Sequence, residues 1–193
     1  VFPTDARAQP PEWIVYNTDN SDIPDNRVVC IGIDPRGNVW TAHSSAYGIG
    51  SGCAKFDGER WTVYNISNSG LPHDNASAFA FDKEGNVWIG TGSTHSTGGG
   101  LAKFDGANWT TYNTANSGLP NNNITNLAFG LEGNLWIGTY GGIAKFDGEK
   151  WITYSTSNSA LPNNTVTGFS FDSRGILWVG TWGGGLAKFH GEN

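Results

Sequence analysis

The side chains able to do chemistry are few and scattered. His43, His73, His95 and His190 are the four histidines, and none stands at metal-ligand spacing to another or in a triad motif. The Asp-x-x-Gly turns are too short and too poor in acids for a calcium loop. The sequence therefore assigns no catalytic residue, no metal site and no cofactor, and reads as non-enzymatic. What remains is a set of large side chains in glycine-rich segments. Tyr47 lies in HSSAYGIGSG (43–52), His95 in TGSTHSTGGG (91–100), Tyr140 in TYGG (139–142) and Trp182 in TWGGG (181–185). Aromatic faces stack on sugar rings, and nearby Asn amides bond to hydroxyls. These four are the ligand-binding candidates, for a glycan or a protein. The competing reading of Tyr140 and Trp182 is that they fill a central channel. Five N-x-S/T sequons, at Asn65, Asn75, Asn108, Asn123 and Asn163, are glycosylation candidates.

The elements that must position these residues come from a repeat. Trp40, Trp88, Trp136 and Trp178 each sit in a G-N/I-V/L-W phrase, and Trp13, Trp61, Trp109 and Trp151 each open W-x-x-Y. Both series are spaced by 48, 48 and 42 residues, and the difference falls in the segment after the W-I-G-T phrase, read as an insertion-tolerant loop. Each unit reads as four short strands, in the second unit Ser77–Asp82, Asn86–Gly90, Leu101–Asp105 and Trp109–Tyr112. Asp-x-x-Gly and Asp-Gly turns join them. Such units read as β-propeller blades, buried on both faces by their neighbours. The fold class is all-β, a propeller of four four-stranded blades with boundaries at 13–60, 61–108, 109–150 and 151–193 after an extension over 1–12. Lysines 55, 103, 145 and 188 and phenylalanines 56, 104, 146 and 189 recur in every blade and read as scaffold. Cys30 and Cys53 fall two strands apart in one blade, about 10 Å by strand spacing, so they read as free thiols.

The phrases N-S-G-L-P-x-N, D-x-x-G-N-L-W-I-G-T and G-G-L-A-K-F-D-G, carried by residues 116–151 and their counterparts, resemble the two-component regulator propeller repeat. The resemblance runs from Trp13 to Asn193. It implies a propeller in an extracytoplasmic sensor region, often of polysaccharide-utilising bacteria. The D-G-N-L-W phrase is also similar to streptogramin-lyase propellers, which gives a minor enzymatic alternative.

The chain opens on an outer-strand phrase, Trp13, Ile14, Val15 and Tyr16, and ends on a third strand, Leu186, Ala187, Lys188 and Phe189. The expected resolution is strand completion, with the first segment finishing the last blade. It can act within one chain, or between chains to give a ring dimer or a head-to-tail filament, and the remaining alternative is that these repeats are a fragment of a larger propeller. A net charge of −6 without a basic cluster argues against nucleic acid. No apolar run is long enough for a membrane span. The residues "ARA" before Gln9 look like the end of an export signal, so an extracellular or periplasmic location is expected.

Overall fold

The computed structural model describes residues 12–44, 50–93 and 96–191, and over these the chain is all-β. Blade one comprises β1 (Val28–Ile33), β2 (Val39–Ser44), β3 (Gly50–Phe56) and β4 (Trp61–Tyr64). Blade two comprises β5 (Ala76–Phe81), β6 (Val87–Ser93), β7 (Ser96–Phe104) and β8 (Trp109–Tyr112). Blade three comprises β9 (Ile124–Phe129), β10 (Leu135–Thr139), β11 (Gly142–Phe146) and β12 (Trp151–Tyr154). Blade four comprises β13 (Val166–Phe171), β14 (Leu177–Thr181) and β15 (Gly185–Phe189). Each sheet is an antiparallel meander in chain order.

Turn chemistry fixes these strands. In blade one the Asp34 carboxylate accepts the Arg36 and Asn38 amides at 2.9 Å and the Trp40 indole N–H at 3.1 Å. Asp82 repeats the indole bond to Trp88 at 3.1 Å. Asp105 accepts the Ala107 and Asn108 amides across the β7–β8 hairpin, where Gly106 turns at φ 100°. The links between blades are built alike. Asn68, Asn116 and Asn158 each donate from the side-chain amide to a carbonyl five residues back.

The core lies between the blades. Alternate residues of each strand face opposite neighbours, so the sheets can be apolar on both faces. Trp40 stacks on Tyr64 of its own blade at 5.6 Å and meets Phe79 and Phe104 of blade two edge-on or tilted. Trp88 does the same with Tyr112, Phe129 and Phe146, and Trp136 with Tyr154, Phe171 and Phe189. Three interfaces thus repeat one aromatic pattern.

Two expectations change. The segment after W-I-G-T in blade two is largely ladder rather than loop: β6 runs to Ser93 and pairs with Ser96. The insertion lengthens a hairpin whose Gly98 and Gly99 pass close to backbone of the adjoining links. Strand completion within the chain is not made. Trp13–Tyr16 is not a strand, β15 pairs with β14, and the last sheet has three strands. The four blades form an open arc, since Ile31 and Ile33 on β1 are each 65% exposed while the corresponding Phe79 and Phe81 are packed into a core. At the other end Trp178 is 36% exposed, against 1% for Trp40.

Candidate functional site

The turns after β10 and β14 lie at the end of the arc where the links arrive, and so does Gly92 near the end of β6. The Gly92 amide bonds to the Asn75 carbonyl, Tyr140 to Asn123 and Trp182 to Thr165, each tying a second strand to the start of a first strand. In blades two to four a threonine bonds across to the third strand: Thr139 and Thr181 donate to the carbonyls of Gly142 and Gly185, and Thr91 to that of Gly100. In blades three and four the second-to-third-strand turn and the incoming link therefore lie at one end.

On that end Trp182 is 74% exposed, with its backbone held by the 2.8 Å bond to Thr165. Tyr140, its counterpart in blade three, is half-buried. Trp182 presents its indole to solvent. Tyr47 and His95 lie outside the described residues. His43, at the head of the 43–52 segment, belongs to β2 and is fully buried. Its ring bonds to the Asp25 carbonyl at 2.6 Å and the Thr41 hydroxyl at 2.8 Å, and burial pushes its pKa down against the Asp25 carbonyl and the nearby Asp25 charge. It is a neutral structural group. Cys53 is buried and pushed up to about 12 by burial, and Cys30 is half-buried; both are free thiols. Among the described residues no group of three or more His, Cys, Asp or Glu is placed to hold a metal.

The sequons divide by exposure. Asn108 is exposed in its hairpin, and Asn65, Asn123 and Asn163 are half-buried in links. Asn75 is 2% exposed, so it cannot carry a glycan in the folded chain. The sequon pattern is local, whereas burial depends on the neighbouring blade. Sequence reasoning also missed a cleft of about 480 Å³ at the opposite end, between blades two and three. Its floor is Trp88 with the Lys103 ammonium 5.3 Å over the ring, and Asp82, Glu84 and Glu132 rim it. Burial would raise the Asp82 carboxyl, but bonds from Asn86 and the Trp88 indole outweigh it and hold it below the usual range. The signal was present in the recurrent lysine, read as scaffold alone.

Repeated four-stranded meanders, stacked face to face around shared aromatic cores, define a propeller-type repeat protein. Residues 70–93, 118–141 and 160–183 match the family model of the two component regulator propeller. Similar solved structures agree on the fold. The extracellular domain of a protein described as a hybrid two-component system from B. thetaiotaomicron superposes with a TM-score of 0.71 at 20% identity, over 96% of this chain and 25% of that one. PorZ, a surface component of the type-IX secretion system of Porphyromonas gingivalis, gives 0.66 at 18% identity, over 86% of this chain and 26% of that one. A streptogramin B lyase gives 0.60 at 17% identity, over 87% and 56%. The chain thus spans about a quarter of the length of the first two. No curated protein sequence is significantly similar to it. No helix among the described residues is long and apolar enough to cross a membrane.

Proposed function

We propose that the chain is a non-enzymatic binding and sensing module working outside the cytoplasm, and that it takes a glycan or protein ligand at its loop end. One observation carries the reading. Blades one to three bury their second-strand tryptophans Trp40, Trp88 and Trp136, yet Trp182 stands 74% exposed on an anchored turn. A rigid, solvent-facing indole is a stacking platform ready before the ligand arrives. The similar structures that are extracellular domains and surface components support the location. Their identities are too low to supply a ligand.

The test is retention on immobilised polysaccharides and on a glycan array. Trp182→Ala should lower retention at least tenfold, and Trp182→Phe should restore part of it. Because the side chain is exposed, near-UV circular dichroism should show the fold intact. Retention equal to wild type in the alanine variant would refute the reading.

A further inference from the structure

We infer that blade three carries a binding site for the carboxylate of a small organic acid, in a cradle that the other blades fill with an aspartate of their own. The site lies at the end of the molecule away from the loops, so the inference is independent of the ligand proposed there.

The repeats supply the comparison. Between β1 and β2, Asp34 Oδ1 accepts the Arg36 and Asn38 amides, and Oδ2 accepts the Asn38 side-chain amide at 2.7 Å and the Trp40 indole N–H at 3.1 Å. Asp82 takes the Asn86 amide, the Asn86 side chain and the Trp88 indole in the same way. Asp172 takes the Arg174 and Ile176 amides at 2.9 and 3.0 Å and the Trp178 indole at 3.5 Å. In each of these blades a planar pair of oxygens collects donors from the turn and from the second strand.

Blade three keeps the donors and changes the acceptor. Gly130 stands at the aspartate's place between β9 and β10. The turn itself is unaltered: the Gly130 amide bonds to the Asn134 carbonyl and the Gly133 amide to the Gly130 carbonyl, both at 2.9 Å, as the Asp34 amide bonds to Asn38 and Gly37 to Asp34. The Glu132 and Asn134 amides and the Trp136 indole N–H therefore hold the positions of Arg36, Asn38 and Trp40. Among the described residues no acceptor takes any of these three. The Glu132 carboxylate does not replace the aspartate. It accepts only from the Asn134 side chain, at 3.1 Å, and its own side chain is 81% exposed at the rim.

Glycine also leaves room beside the indole. A Cβ at Gly130 would sit 3.3 Å from Trp136 Nε1 and 3.5 Å from Phe171 Cζ, with a carboxylate beyond it. The space opens on a cleft of about 240 Å³ between blades three and four, which Gly130, Asn134 and Trp136 line. That volume suits a small organic acid rather than a folded partner. Charge favours an anion there. Lys145, whose ammonium lies 5.6 Å over the Trp136 ring, and Arg174 line the cleft against Glu132. The corresponding cleft between blades two and three, which has its own Asp82, sets Glu84, Glu132 and Asp147 beside Lys83 and Lys103. A bound carboxylate gives one oxygen to the two amides and the other to the indole, as Asp34 does, in charge-assisted bonds.

The experiment titrates the full chain with sodium acetate and follows the N–H signals by heteronuclear NMR. The Glu132 and Asn134 amides and the Trp136 indole should shift together and saturate with one dissociation constant. The Arg36, Asn38 and Trp40 signals, already bonded to Asp34, should stay fixed. Sodium chloride at the same ionic strength should reproduce none of this. In Gly130→Asp the blade-three signals should start near their acetate-bound positions, and acetate affinity should fall by roughly tenfold or more. Gly130 is not among the positive-φ glycines, so aspartate suits the turn there as it does in the other blades. If that variant fails to fold, the wild-type titration decides alone. A wild type without a saturable shift, an equal response to chloride, or unchanged acetate affinity in folded Gly130→Asp would each overturn the inference.

Discussion

At the residue scale, a carboxylate beneath the second-strand tryptophan of blades one, two and four does several jobs at once. Asp34 is 8% exposed and gathers the Arg36 and Asn38 amides, the Asn38 side chain and the Trp40 indole. Burial alone would raise its pKa, but those donors outweigh burial and hold it below the usual range. Removing it strands buried donors, so Asp34→Ala should cost about 2 kcal/mol in urea unfolding at neutral pH. A folded pKa below the unfolded value means that the carboxylate's stabilisation is present above about pH 4 and is lost as pH falls through the folded value. The difference between wild type and Asp34→Ala should therefore shrink on acidification, and a difference that stays constant from neutral pH to acid would show the packing, rather than the charge, to matter. Blade three has Gly130 at this position, and a Cβ there would sit 3.3 Å from the Trp136 indole nitrogen. The local pattern showed which aspartates turn a hairpin. It did not show that they also hold an indole from six residues away, since that bond needs the strand's pleat.

At the element scale, the strands were legible and their partners only in part. W-x-x-Y and G-N-x-W mark outer and second strands because apolar side chains on both faces and flanking turn residues leave no other reading. Their observed bounds differ from expectation by a residue or two in blade two, except where the β6–β7 ladder extends. The extension was hidden because Gly-Ser-Thr runs resemble loops, while Gly98 and Gly99 are there to let backbone pass beneath Asn122 and Pro72. Equivalent elements also differ in energetic weight. Trp88 is 4% exposed against two blades, so Trp88→Ala should cost about 3–5 kcal/mol. Trp178 is 36% exposed, and in isolated chains Trp178→Ala should cost well under half as much. Equal losses in the two variants, measured by chemical unfolding in dilute solution, would mean that Trp178 is covered even there. Of the glycine-rich segments, that of Trp182 is a turn as its composition implied, whereas His43, at the head of the 43–52 segment, is claimed by β2 and the Asp25 carbonyl.

At the scale of the whole molecule, the described residues of each blade pack on those of its sequence neighbours, so stability is a sum of blade and interface terms. The end blades have one interface each. β10 is buried throughout, whereas β1 and β15 alternate between exposed and half-buried. Native-state hydrogen exchange should accordingly show the slowest amides in β6 and β10 and the fastest in β1 and β15. Uniform protection across the blades, in a sample shown to be single chains, would mean that the arc unfolds as one cooperative unit. Whether the arc closes could not be read from sequence, because closure depends on small rotations at each interface accumulated over the ring.

The sameness of the three aromatic interfaces has a genetic side. The stretches around Trp88 and Trp136 read GNVWIGT and GNLWIGT, and each is followed by AKFDG after a variable insert. Recombination between two such stretches adds or removes one whole repeat and leaves every remaining junction of the kind already present. Gene length can therefore drift by unit steps while the encoded chains keep folding, and blade number becomes a trait that selection tunes separately from blade sequence.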